Sequence, residues 1–150
     1  MTDKAKSQGA AKYRAILESH GLRVTEPRLD VFELLTKAGK PLKAYEVLEK
    51  LSSPQHEVKP PTVYRALDAL EEAGLIHKLE SMNAFVCCHD HGHGHDQKHD
   101  VVFAICDTCE TVSEIEQDSN SKLSHALNRQ GFSPSKRIFE IHGECAKCKN

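Results

Sequence analysis

Residues 59–81 read KPPTVYRALDALEEAGLIHKLES. A proline pair and a threonine open a segment in which Val63, Ala66, Leu67, Leu70 and Ala73 recur every three or four positions. That is one apolar stripe along a helix, stopped by Gly74. The stripe leaves Thr62, Tyr64, Arg65, Asp68 and Ala69 off the core face. After Gly74 the period changes. LIHKLE (75–80) and AFVCC (84–88) are short strand-like runs separated by SMN, the pattern of a hairpin.

Three more helical segments precede this one. AAKYRAILESHG (10–21) carries Ala11, Ala15 and Ile16 and stops at Gly21. Thr25 is placed to cap EPRLDVFELLTKAG (26–39), with Pro27 in the first turn, where its missing N–H costs nothing, and Gly39 at the end. LKAYEVLEKL (42–51) makes a third helix. Three helices, a fourth with polar residues exposed early in it, and a hairpin are the element order of a winged helix-turn-helix, whose last helix enters the major groove of DNA. Arg65 suits a bidentate contact with guanine, and Tyr64 a thymine methyl or a phosphate. Spacing alone leaves an ordinary solvated helix face open as well.

Composition bounds the rest. With 39% hydrophobic and 28% charged residues in 150, the chain suits one domain or two small ones. No apolar run is long enough to cross a bilayer, and MTDKAKSQGAAKYR lacks the apolar core of a signal peptide, so a cytoplasmic location is expected. In that reducing setting six cysteines in close pairs point to metal before disulfides. The net charge of −2 supplies no basic field, so a nucleic-acid role has to rest on motifs.

The second half has a different texture. HDVVFAIC (99–106), TVSEIE (111–116) and KRIFEIHG (136–143) read as strands and LSHALNRQG (123–131) as a helix. Cys106-Asp107-Thr108-Cys109 and Cys145-Ala146-Lys147-Cys148 each follow a strand. Two such knuckles complete a closed tetrahedral Cys₄ zinc site, which is structural because no coordination position stays open. A thioredoxin-like redox pair is the alternative, but such a pair stands alone at a helix start. Between the halves lies FVCCHDHGHGHDQKHD (85–100), with five histidines in eleven positions behind two thiols. Imidazole with thiolate favours zinc or copper(I), while Gly, His and Asp are equally compatible with a solvated linker. His77, a lone histidine on a strand, is by itself more often a surface or satisfied residue than a ligand.

Taken together, residues 59–81, the paired CxxC motifs and the CDTCETVSE segment (106–114) resemble the ferric-uptake-regulator superfamily of bacterial metal-dependent repressors, and most closely its zinc-uptake branch. The resemblance runs from about Lys12 to Cys148. It implies an α+β chain: a winged-helix DNA-binding domain over 1–84, a His-rich hinge loop over 85–99, and a small α/β dimerisation domain over 100–150 that holds the Cys₄ zinc. It implies a regulatory zinc on His77, Cys88, His99 and Glu114, giving two zinc ions per chain. Arg28, Tyr45, Thr62, Tyr64 and Arg65 match DNA-contacting positions, with Arg28 on phosphate. The partners implied are double-stranded operator DNA and a second copy of the chain; no membrane role is expected.

This sequence departs from the family pattern in two places. Cys87 offers a second thiol beside the expected ligand, so the ligand could slip by one residue, although strand alternation favours only one of the two. The inner histidines His89, His91, His93 and His95 open a third, weaker zinc site. His125 and His142 fall near positions that some members use for another metal, but the arrangement around Asp100 does not match. The function implied is zinc-responsive repression of zinc-uptake genes; sensing of iron, manganese, nickel or peroxide within the family is the alternative. A zinc hydrolase or deaminase fits poorly. His142-Gly143-Glu144 abuts Cys145 instead of lying in a separate segment, no Pro precedes Cys145, and no HExxH, phosphate loop or nucleophile elbow is present. No enzymatic activity is therefore expected. A zinc store would use the His run and ignore Tyr64 and Arg65.

Overall fold

The computed structural model describes residues 3–87, 100–117, 122–135 and 137–149. The chain divides into two compact units, residues 1–94 and 95–150. No helix among the described residues is long and apolar enough to cross a membrane.

The first unit runs α1 (Asp3–Ser19), α2 (Glu26–Ala38), α3 (Ala44–Leu51), α4 (Pro60–Glu72), β1 (Ile76–Leu79) and β2 (Ala84–Cys87). The stripe seen in the sequence is the inner face of α4, where Val63, Ala66, Leu67 and Leu70 are buried. They join Leu17 of α1, Val31, Phe32 and Leu35 of α2, Val47 of α3, and Leu75, Ile76, Phe85 and Cys87 of the hairpin in one core. Burying a Leu or Phe side chain contributes about 1.5–3 kcal/mol, so this shared core is what orients four short helices. Tyr13 meets Phe32 edge-on, with ring centroids 5.6 Å apart. β1 and β2 pair antiparallel, Ile76 opposite Cys87 and His77 opposite Val86. Asn83 closes the turn between them at φ 48°.

Two local expectations change. The third helix begins at Ala44, not Leu42. Leu42 instead bridges β2, exchanging backbone hydrogen bonds with Phe85 at 3.0 and 2.8 Å. Lys43 is extended at the helix cap, and its N–H donates to Glu46 Oε2 at 2.8 Å. Thr25 does occupy the cap position of α2 in an extended conformation, but its hydroxyl makes no capping bond. Gly39 ends α2 in the left-handed region, φ 62°.

In the second unit, β3 (Asp100–Cys106), β4 (Val112–Gln117) and β5 (Ile138–Gly143) form a sheet of order β4-β3-β5, and α5 (Lys122–Arg129) lies between β4 and β5 in sequence. β4 is antiparallel to β3, and β5 is parallel to it. Arg137 donates to the buried Ser124 hydroxyl at 2.6 Å, tying α5 to the start of β5. Registers put Val102, Ile115 and Phe139 side by side on one face, followed by Ala104 and Ile141. On that face Ile115 is 49% and Ile141 56% exposed. The other face carries the buried Phe103 and Ile105.

Leu67 is fully buried at the centre of the first core. Leu67→Ala is expected to destabilise that unit by about 2–5 kcal/mol in urea unfolding, while zinc bound per chain stays unchanged.

Candidate metal centre

The parallel register of β3 and β5 sets Cys106 beside Gly143. Each CxxC therefore turns off at the same end of the sheet. Cys106 is the last residue of β3, and the first knuckle closes with the Glu110 N–H on the Cys106 carbonyl at 2.9 Å, Glu110 itself taking φ 58°. The second closes with the Lys149 N–H on the Cys145 carbonyl at 2.9 Å. The four sulfurs of Cys106, Cys109, Cys145 and Cys148 lie within 4.8 Å of one another, and Cys109 Sγ is 3.7 Å from Cys145 Sγ. A tetrahedron with Zn–S of about 2.3 Å has edges of about 3.8 Å, so the donor set fits zinc in both chemistry and size.

Hydrogen bonds around the sulfurs make the four thiols unequal. The Cys145 N–H donates to Cys106 Sγ at 3.3 Å. That bond, with a weaker one from the Cys109 backbone, pulls the Cys106 thiol down to about 6. The Thr111 hydroxyl, 3.1 Å from Cys109 Sγ, lowers Cys109. Cys148 is pushed up to about 12 by the neighbouring Cys145 and Cys109 sulfurs. Crowding of this kind disfavours a further thiolate, and a bound dication reverses that balance by favouring the deprotonated form of every ligand.

The other expected metal residues divide by location. His77 is buried on β1 and pairs with Val86. It shares that hairpin face with neither Ile76 nor Cys87, which point into the helical core. Cys87 sits 3.3 Å from the Thr36 hydroxyl and 3.8 Å from the Leu75 carbonyl, so its sulfur is a core group of the first unit. Glu114 is half-buried on β4 opposite Phe103. Cys88, His99 and the run His89, His91, His93 and His95 lie outside the described residues.

Among the expected DNA-contacting residues, Tyr45 on α3 is 62% and Tyr64 on α4 54% exposed, while Arg65 is exposed beside it. Thr62 is half-buried in the first turn of α4. Arg28 is also half-buried, and one of its guanidinium nitrogens donates to the Arg23 carbonyl at 2.7 Å. His142 is not gathered with the sulfurs. Its Nδ1 lies 2.8 Å from Asp107 Oδ1. Sequence reasoning passed over Asp107 and Thr111; their only signal was a polar residue inside the first CxxC and another two positions beyond it.

A model of the ferric uptake regulator family matches residues 19–142. The chain belongs to this family. Among family members, the zinc uptake regulation protein of Escherichia coli K12 is 37% identical over 140 residues, covering 92% of this chain and 80% of that protein. The ferric uptake regulation protein of the same strain is 27% identical over 136 residues, covering 87% of this chain and 86% of that one. A solved zinc uptake regulator complexed with zinc and DNA superposes with a TM-score of 0.81 at 34% identity, covering 99% of this chain and 96% of that chain. The crystal structure of holo XcZur gives 0.78 at 44% identity, covering 93% and 97%.

Two substitutions separate ligand from core. Cys106→Ser is expected to lose the zinc of the second unit and to lower its melting temperature. Cys87→Ala should weaken packing of the first unit yet leave the zinc count, read by mass spectrometry of the folded chain, unaltered.

Proposed function

We propose that this chain is a zinc-responsive transcriptional repressor, binding operator DNA as a homodimer when a regulatory zinc site is filled and controlling zinc-uptake genes. The observation that carries this reading is the uneven similarity within the family: 37% to the zinc regulator of one strain against 27% to its iron counterpart. In this reading the protein is cytoplasmic, contacts no membrane and is not an enzyme.

Two zinc ions per chain are assigned. Cys106, Cys109, Cys145 and Cys148 hold the structural ion. His77, Cys88, His99 and Glu114 hold the regulatory one. The commitment of the Cys87 sulfur to the helical core supports Cys88 as the metal-binding thiol of the pair. One thiolate in that set suits zinc better than iron(II) or manganese(II). The inner histidines His89, His91, His93 and His95 would take a third ion only after these two sites fill.

On DNA, α4 is the reading helix, with Arg65 on a base edge and Thr62 and Tyr64 beside it; Tyr45 and Arg28 hold phosphates. Exposed Tyr64 and Arg65 near the start of α4 support that role. The half-exposed pair Ile115 and Ile141 on one sheet face supports assembly with a second copy through the second unit. Zinc acts through its higher affinity for the DNA-competent state, and by reciprocity operator DNA tightens the regulatory zinc.

Zinc titration of operator binding, with metal counted per chain, tests this. Operator affinity should rise as the second zinc binds, and Cys88→Ser should keep one zinc while losing the response. A protein holding only its structural zinc that binds the operator as tightly as the fully loaded form sinks the reading; activation by iron(II) instead of zinc redirects it. Arg65→Ala should cost about 1–3 kcal/mol of operator binding and relax discrimination at one base pair.

A further inference from the structure

The two CxxC knuckles are 35 residues apart in the chain and touch each other outside the sulfurs. Asp107, inside the first knuckle, accepts from His142 at 2.8 Å; a carboxylate only accepts, so His142 carries its proton on Nδ1. The Asp107 N–H also donates to the Gly143 carbonyl at 2.9 Å. One residue further along each segment, the Thr108 hydroxyl reaches Glu144 Oε1 at 3.4 Å. These contacts join the loop that follows β3 to the segment that leads into Cys145, and none of them uses a thiol.

We propose that the Asp107–His142 pair is a metal-independent latch that holds the two knuckles together and sets how slowly the structural zinc is lost. Loss of a four-thiolate zinc proceeds by stepwise opening of Zn–S bonds. If one knuckle detaches, a competitor captures the ion unless the freed thiolates return first. A cross-link between the knuckles keeps the freed pair at high effective concentration and favours return. As a solvent-exposed pair, Asp107–His142 contributes little to global stability, so its effect belongs to zinc retention. Asp107 and His142 are thus positioning residues, not ligands. Removing outer partners of metal ligands typically costs about 10–100-fold in metal affinity, which sets the scale for the effect on retention.

The latch rests on the Cys₄ zinc assignment, and one experiment tells the two apart. Full-length protein is loaded with cobalt(II), and the thiolate-to-cobalt charge-transfer bands are recorded before and during challenge with excess chelator. The starting spectrum tests the site: bands of four-thiolate strength are expected in the parent, Asp107→Asn, His142→Ala and the double variant alike. Bands weakened in the parent overturn the Cys₄ site; bands weakened only in the variants make the pair ligands and overturn the latch. The decay tests the latch: each single variant should lose metal about tenfold faster, and the double variant no faster than either single one. His142→Asn, which keeps an N–H donor near the Nδ1 position, should recover most of the slow rate. Single-variant rates within twofold of the parent, or multiplicative effects in the double variant, overturn the latch.

Discussion

The second unit depends on a single parallel pairing, β3 with β5. Parallel strands bring like ends together, and the segment between them has to travel back along the sheet before the second can start. Here β4 and α5 make that journey, with α5 fastened through Ser124 to Arg137 at the entry to β5. The outcome is Cys106 beside Gly143 and four sulfurs within 4.8 Å. A metal ion bound there would close a site that the sheet has already gathered, and its binding free energy would add to that of folding. A slip of one residue in the ladder would offset one knuckle from the other and turn alternate side chains to the wrong face.

Much of this was readable from residues alone, for local reasons. The stripe Val63, Ala66, Leu67, Leu70 is a property of α4 by itself, and the hairpin announces itself by the change of period after Gly74. The paired CxxC motifs point to a four-thiolate site because few other uses of cysteine give that spacing twice. What escaped was settled by partners distant in sequence. Leu42 looks helical by composition and leaves the helix because Phe85 offers it two backbone hydrogen bonds. Thr25 stands at the right position for a cap without making the cap's bond. The choice between Cys87 and Cys88 as ligand had no answer in spacing; burial beside Thr36 and Leu75 assigns the first of them to the core. Asp107 and His142 meet only because the β3–β5 register aligns their strands.

The two units spend their cysteines differently. In the second, four thiols crowd within 4.8 Å of one another, Cys106 drawn well below and Cys148 well above the usual thiol range. In the first, one sulfur serves as a small apolar side chain with a weak hydrogen bond to Thr36. The near-neutral charge of the chain supplies no broad basic field.

The Leu42–Phe85 bridge also has a mechanical side. It fastens Leu42, two residues ahead of α3, to β2, and Ile76, Phe85 and Cys87 anchor the same hairpin on α2 and α4. The hairpin is therefore not a loose flap but one wall of a stiff block. Whatever turns this hairpin also turns α3 and α4, carrying the exposed Tyr45, Tyr64 and Arg65 with it. Such a block turns as a whole without breaking its own core, so the three exposed side chains keep their mutual spacing however it is oriented.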